Sequence, residues 1–430
     1  MDWVAILDFG SQYTQLIARR ARECKVYSEI FPYSIWLKSL LKNKPKAIIL
    51  SGGPATVTKK EAPTISKEIL EKGIPILGIC YGMQLVAKIL GGEVESTLRR
   101  EYGSSNLILD KKDDLFYGLK HKFCVWMSHG DRVTKLPSGF EVIAHTKNSP
   151  IAAMRDKEGK IYGVQFHPEV IHTPDGLKIF DNFLKRICLC SESWQIQDFV
   201  KDKISQIRER TKDERVICAV SGGVDSTVLS FLLHKAIDKR LFCIFVDNGL
   251  LRKNESQEVI QRFKDFDINL IYSDARDNFL KKLRGVIDPE EKRKIIGREF
   301  VKVFEKEAKK LGRIKFLAQG TLYPDVIESK SAFGGPSVRI KTHHNVGGLP
   351  TGMKFELIEP FRFLFKDEVR EVGKELGLPD SIIYRQPFPG PGLAVRIIGE
   401  VTEERLRILR EVDSLIQEEI KESKIFRKIW

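Results

Sequence analysis

Short apolar runs punctuate the chain and end in glycine-containing turns. Val4–Leu7, Ala47–Leu50 and Ile74–Ile79 read as strands, and Tyr81–Leu90 then carries helical periodicity. This alternation predicts a mainly parallel α/β sheet, with active residues where strands end and loops begin. A boundary is expected near Cys188–Trp194, followed by an amphipathic stretch over Ile196–Arg210. A second series then opens: a strand over Arg215–Val220, a glycine turn over Ser221–Thr227, a helix over Val228–Ala236 and a strand over Leu241–Val246. From Glu328 to Gly352 the chain is rich in Gly, Ser, Lys and His, a composition suited to a segment that covers a site. From about Arg396 the pattern gives only a strand-like run, Val395–Ile398, and a helix, Glu403–Glu422, too little to bury much surface alone. The predicted fold class is therefore α/β: two parallel-sheet α/β domains in series (1–190 and 191–390) plus an incomplete α+β C-terminal domain (391–430).

Composition narrows this little. The 430 residues are 42% hydrophobic and 30% charged, as in soluble globular proteins. No apolar run reaches membrane-spanning length, and the start lacks the basic region of a signal peptide, so no membrane association is expected. Seven cysteines give no disulfide framework in so long a chain and suit a reducing cytosol; Cys188 and Cys190 read as structural. The net charge of +14 favours anionic partners, but Lys and Arg are scattered rather than gathered.

Candidate chemistry comes in two clusters. In the first, the run into Gly78-Ile79-Cys80-Tyr81-Gly82-Met83-Gln84 has the small-x-nucleophile-x-small form of a strand–turn–helix elbow, which sets a cysteine at a helix N-terminus where the dipole favours thiolate. A buried structural cysteine is the bland alternative, and the two flanking glycines speak against it. Gly163-Val-Gln-Phe-His167-Pro-Glu169 offers a base, His167, and a group to orient it, Glu169. Ser51-Gly52-Gly53-Pro54 follows a strand and offers backbone N–H groups for an oxyanion.

In the second cluster, Ser221-Gly222-Gly223-Val224-Asp225-Ser226-Thr227 follows a strand and opens a helix. Glycines there let N–H groups face phosphate oxygens, hydroxyls add donors, and Asp225 can hold Mg²⁺. The common G-x-x-x-x-G-K-[ST] loop is absent from the chain.

The first cluster resembles the class I glutamine amidotransferases. That resemblance implies that Cys80 attacks the glutamine amide, that Gly53 and Tyr81 serve the oxyanion, and that Gln84 and the segment Ser128-His129-Gly130-Asp131 help to hold glutamine, His129 standing outside the triad. The second resembles the N-type ATP pyrophosphatases, which cut ATP to AMP and pyrophosphate, with Val246 near the adenosine. Leu317–Glu328, Ile340–Pro350 and Arg385–Ala394 look like the glutamine-hydrolysing GMP synthase family, as does the order of the halves. This implies glutamine, ATP as co-substrate and xanthosine monophosphate as partners, Mg²⁺ as cofactor and no nucleic acid. It implies Asp325 and Glu328 as an acidic pair, Lys341 as a lid lysine, and Arg298, Lys366 and Asp367 as further candidates for substrate contact or site coupling. His343 and His344, adjacent and without further ligands, make poor metal geometry. Family members are homodimers that continue past Trp430 to a Lys-Pro-Pro-containing tail. Nothing in this sequence corresponds to that tail, so altered dimerisation and substrate affinity are expected. The loop and the charge alone would also suit an RNA-modifying protein, but no aromatic-basic recognition motif accompanies them.

Overall fold

The computed structural model describes residues 2–423 apart from 43, 112 and 330–354. These fall into two compact units, one up to Gln195 and the other from Ile196 onward. In the first, the strands are Trp3–Asp8 (β1), Tyr27–Pro32 (β2), Ala47–Leu50 (β3), Ile76–Ile79 (β4), Glu93–Leu109 (β5), Lys122–Lys135 (β6), Phe140–His145 (β7), Ala153–Asp156 (β8) and Ile161–Val164 (β9). They form one sheet in the order β2-β1-β3-β4-β9-β8-β7-β5-β6. The half from β2 to β9 is parallel. From β9 to β6 it is antiparallel, so the sheet is mixed where a mainly parallel one was predicted. Parallel strands are covered on both faces, which is why Val4, Ala5, Ile6 and Leu7 are all fully buried rather than alternating. Each buried Val, Ile or Leu side chain contributes about 1.5–3 kcal/mol of burial.

In the second unit, Val216–Val220 (β10), Leu241–Asp247 (β11), Leu270–Asp274 (β12), Phe316–Ala318 (β13) and Glu356–Ile358 (β14) make a parallel sheet in the order β12-β11-β10-β13-β14. The chain order reverses between β10 and β13, and a crevice at such a switch point is where open α/β sheets bind ligands. The glycine turn is shorter than predicted, because the helix after β10 runs Val224–Ile237 and takes in most of the loop.

The C-terminal stretch corrects one expectation. Val395–Ile398 is not a strand. Gly392–Arg396 is a single 3-10 turn, pinned where Leu393 N donates to the Leu250 carbonyl at 2.8 Å. Among the described residues, Leu393, Ala394, Ile397, Val401 and Leu406 share one core with Ile217 and Ile244 of β10 and β11. The helix Glu403–Glu422 is as predicted, with Thr402 Oγ1 accepting from Arg405 N and acidic residues in its first turn.

Candidate active sites

In the first unit, β4 enters the helix Tyr81–Ile89 through Cys80, whose φ of 51° and ψ of −103° are sparsely populated for a residue with a side chain. The turn is forced by close packing. A Cβ added at Gly82 would sit 2.4 Å from the Leu50 carbonyl oxygen, so only glycine fits beside β3. Cys80 is 6% exposed and stands at the first turn of a helix whose leading N–H groups, Tyr81 among them, have no intrahelical acceptor.

His167 follows β9, and its ring and the Cys80 side chain both border Gly52. On its other edge, Nδ1 lies 2.8 Å from Glu169 Oε1, and the two side chains are almost wholly buried. Burial disfavours the charged ring. The Glu169 charge, with Cys80 and the hydrogen bond to Glu169, outweighs it and raises the His167 pKa well above the ordinary histidine value. Tyr13 packs edge-on against the imidazole at 5.3 Å. Thr173 Oγ1 donates to the His167 carbonyl at 2.7 Å, and Arg20 Nε donates to the Glu169 carbonyl at 3.1 Å. The turn after β3 is adjacent: a Cβ at Gly52 would meet His167 Cε1 at 3.1 Å and Cys80 Cβ at 3.8 Å. Gly53 is the next residue of that turn.

Ser128 meets the sulfur through its backbone, with Cys80 Sγ 3.8 Å from its carbonyl oxygen. The His129 ring is instead buried against Glu101, Nε2 to Oε2 3.2 Å, and its Nδ1 faces the Asp131 carbonyl at 3.0 Å. Gln84 is also buried, its Nε2 donating to that carbonyl at 2.9 Å. Gly130, between them in β6, lies beside the Arg100 and Tyr102 side chains. Gln165, which the motif reading passed over, reaches Cys80 Sγ with its Nε2 at 3.6 Å. Its place two residues before the histidine was the one available signal.

In the second unit the loop after β10 is held by its own hydroxyls. Ser226 Oγ accepts from Ser221 N at 3.2 Å and shares a hydrogen bond with Ser221 Oγ at 3.1 Å. Thr227 Oγ1 donates to the Gly223 carbonyl at 2.8 Å. Gly222 takes a φ of +76°, and Arg385 donates to its carbonyl and to Glu255. Asp225, in the first turn of the helix that starts at Val224, pairs its Oδ2 with Lys366 Nζ at 3.3 Å. Its Oδ1 is buried and has no hydrogen-bond partner. Gly320, after β13, packs beside Asp225, so the loop lies at the switch point. Val246 is buried near the end of the neighbouring strand β11.

Of the outlying candidates, Lys366 is brought to the loop and Asp367 follows it in the helix Lys366–Glu375, one turn before Arg370. Asp325 opens the helix Tyr323–Ser329, its Oδ2 accepting from Leu322 N at 2.9 Å, and Glu328 is on the same helix. Arg298 is exposed on the helix Pro289–Lys310, with Nε bonded to its own helix at Lys294 O, and is not brought to the loop. Lys341, His343 and His344 lie outside the described residues.

Residues 5–187 match the family model for class I glutamine amidotransferases, and residues 196–282 match that for the PP-loop domain. Along its length the chain is similar to proteins named glutamine-hydrolysing GMP synthase. It is 56% identical to the one from Brachyspira hyodysenteriae over 431 residues, covering 100% of this chain and 84% of that protein. The Caldicellulosiruptor saccharolyticus protein is 57% identical over 429 residues, covering 99% and 83%. That from Carboxydothermus hydrogenoformans is 56% identical over 428 residues, covering 99% and 84%.

Proposed function

The chain belongs to the glutamine-hydrolysing GMP synthases, and from that premise we propose how its residues divide the work. The enzyme is a ligase: glutamine supplies ammonia, ATP activates xanthosine monophosphate, and amination gives GMP. In the first unit, Cys80 attacks the side-chain carbonyl carbon of glutamine as a thiolate. N–H groups of Gly53 and Tyr81 stabilise the tetrahedral oxyanion. His167, held as imidazolium by Glu169, gives its proton to the leaving ammonia and then takes one from the water that cleaves the γ-glutamyl thioester. Ser128 and Gly130 border the glutamine site through backbone atoms. Gln84 and His129 act behind it, since their side chains are spent on other partners.

In the second unit, the 2-oxygen of xanthosine monophosphate displaces pyrophosphate from the α-phosphorus of ATP, and ammonia then displaces AMP. The N–H groups from Gly222 to Ser226, the Ser221 and Thr227 hydroxyls and the helix N-terminus hold the phosphates. Val246 borders the adenosine. Lys366 answers the pyrophosphate charge, and Asp325, Glu328, Asp367 and Lys341 complete the substrate side. Arg298 is kept as a substrate contact on resemblance alone. Mg²⁺ suits Asp225, whose Oδ1 is a buried carboxylate oxygen without a partner. Bound there with ATP, the cation would neutralise phosphate charge. A cytosolic setting fits seven free cysteines, and no described helix is long and apolar enough to cross a membrane. Light scattering would decide whether the family's homodimer forms.

The observation that carries the first half of this reading is the Cys80–His167–Glu169 line at the elbow. The test supplies xanthosine monophosphate, ATP and Mg²⁺ with either glutamine or ammonium, and quantifies GMP and AMP. Cys80→Ala is expected to lose glutamine-dependent synthesis by at least about 10⁴-fold and to keep the ammonium route. Loss of neither route would overturn the assignment of the nucleophile.

A further inference from the structure

Five residues outside the Cys80–His167–Glu169 line are joined by hydrogen bonds that end on the reacting sulfur. Gln165 is fully buried, and its Nε2 lies 3.6 Å from Cys80 Sγ. Its Oε1 accepts from Gln84 Nε2 at 3.3 Å, and the same Gln84 nitrogen donates to the Asp131 carbonyl at 2.9 Å. That carbonyl also faces His129 Nδ1 at 3.0 Å, while His129 Nε2 faces Glu101 Oε2 at 3.2 Å. Glu101 stands directly opposite His129 in the β5–β6 ladder, just past an irregularity in the register.

Donor and acceptor rules fix every orientation along this line. The Asp131 carbonyl can only accept, so the Gln84 amide must present its nitrogen to it. That nitrogen can only donate, so Gln165 must turn its oxygen to Gln84 and its N–H toward the sulfur. At the far end Glu101 also accepts from Ser149 Oγ at 2.7 Å and Thr146 Oγ1 at 2.9 Å. Burial works against its charge, but the hydrogen bonds from His129, Ser149 and Thr146 hold its carboxyl below the ordinary range. An ionised Glu101 accepts, so the His129 ring meets it as a donor at Nε2.

Resting on the assignment of Cys80 as nucleophile, we propose that Gln165 is a further catalytic residue, whose amide N–H donates to the Cys80 sulfur and favours the thiolate. Gln84, His129 and Glu101 are positioning residues that hold the amide in that direction. Cys80 is 6% exposed and its sulfur has little hydration to draw on, so a fixed neutral donor stabilises its anion more than it would in water. The Ser128 carbonyl, 3.8 Å away, accepts from the sulfur only while it is a thiol. The charged and titratable groups on the opposite side are His167, with Glu169 behind it, Tyr13 against the ring and Arg20 on the Glu169 carbonyl.

The experiment measures iodoacetamide alkylation of Cys80 in the full chain by peptide mass spectrometry at pH 7 and pH 10. Glutaminase kcat/KM is measured beside it, and ammonium-dependent GMP formation reports on folding of the second unit. Gln165→Leu is expected to slow alkylation about tenfold at pH 7 and leave it unchanged at pH 10, with kcat/KM for glutamine falling in parallel. Gln165→Glu, which puts an acceptor beside the sulfur, should be slower still at pH 7. Glu101→Gln should move the same way by a smaller factor. A folded Gln165→Leu protein that alkylates at the wild-type rate at pH 7 overturns the proposal. If that variant does not fold, Gln84→Met, which releases the Gln165 amide without touching the sulfur, carries the same expectation and the same refutation. Cys80→Ala separates the two levels: if it abolishes glutamine use while these variants alkylate normally, only the present inference fails.

Discussion

The two sites use one architectural device, a parallel strand running through a glycine turn into a helix N-terminus, for opposite ends. At the elbow, the residue forced to positive φ is the proposed nucleophile itself, Cys80 at 51°, and glycine relieves the crowding around it. In the phosphate loop, the positive φ falls on a glycine, Gly222 at 76°, and the reactive atoms arrive with the ligand. The first site surrounds its sulfur with Gln165 Nε2 and the Ser128 carbonyl, and its one buried oxygen without a partner, Glu169 Oε2, lies behind the imidazole. In the second, the serines bond to one another and Asp225 keeps one buried oxygen unpaired. A covalent catalyst has to be held in place before its substrate comes. A phosphate cradle has to leave its donors and its carboxylate for the ligand to complete.

That contrast can be broken most sharply at Glu169. Glu169→Gln removes the charge that sustains the His167 imidazolium and should lower glutamine-dependent kcat/KM on the order of 10³-fold, leaving ammonium-dependent synthesis as its internal control. A loss below tenfold would mean that the carboxylate does not act through the ring.

Next comes Gly82→Ala, whose Cβ would stand 2.4 Å from the Leu50 carbonyl. About 3 kcal/mol of destabilisation is expected in denaturant unfolding. Gly222→Ala should cost less, about 1–2 kcal/mol for its left-handed backbone, and should weaken ATP binding measured by calorimetry. Equal costs at the two glycines would contradict the distinction between steric and conformational need.

A pH dependence sharpens the first site further. The His167 pKa is raised in the folded state, so its contribution to stability is complete below the unfolded value near 6.5 and fades as pH rises through the folded value. Wild-type stability should therefore decline with pH across that window by up to about 1.4 kcal/mol per unit, and His167→Gln should abolish that part of the slope. The smallest effect belongs to Lys366→Met. Its ion pair with Asp225 is 45% and 28% exposed, so less than about 1 kcal/mol of stability is at stake, while the KM for ATP should rise.

The elements legible in the sequence are those whose signal is local. The strands before both sites are short apolar runs ended by glycine, and the proposed triad lies at strand ends where such residues are positioned. The antiparallel half of the first sheet was not legible: β5, from Glu93 to Leu109, mixes charged and small residues along its length, and its pairing with β6 is tertiary. Val395–Ile398 misled because a four-residue apolar run does not say which side chains are buried. Ile397 is 7% exposed and Ile398 96%, the mark of a turn rounding a corner. Glu101 and Gln165 escaped because their meaning lies in partners 28 and 85 residues away. Lys366 carried only the signal of a family likeness until the fold set it against Asp225.

The backbone of Cys80 has a consequence for how this protein can drift under selection. A residue with a side chain held at φ 51° keeps the native state short of the stability the same fold could reach, and glycine is the residue that position would prefer on conformational grounds alone. Lineages released from the need for glutamine, fed ammonia instead, would meet a substitution there that removes an activity and relaxes the chain in one step. The elbow is therefore where loss of function is expected to be easiest to fix and hardest to reverse.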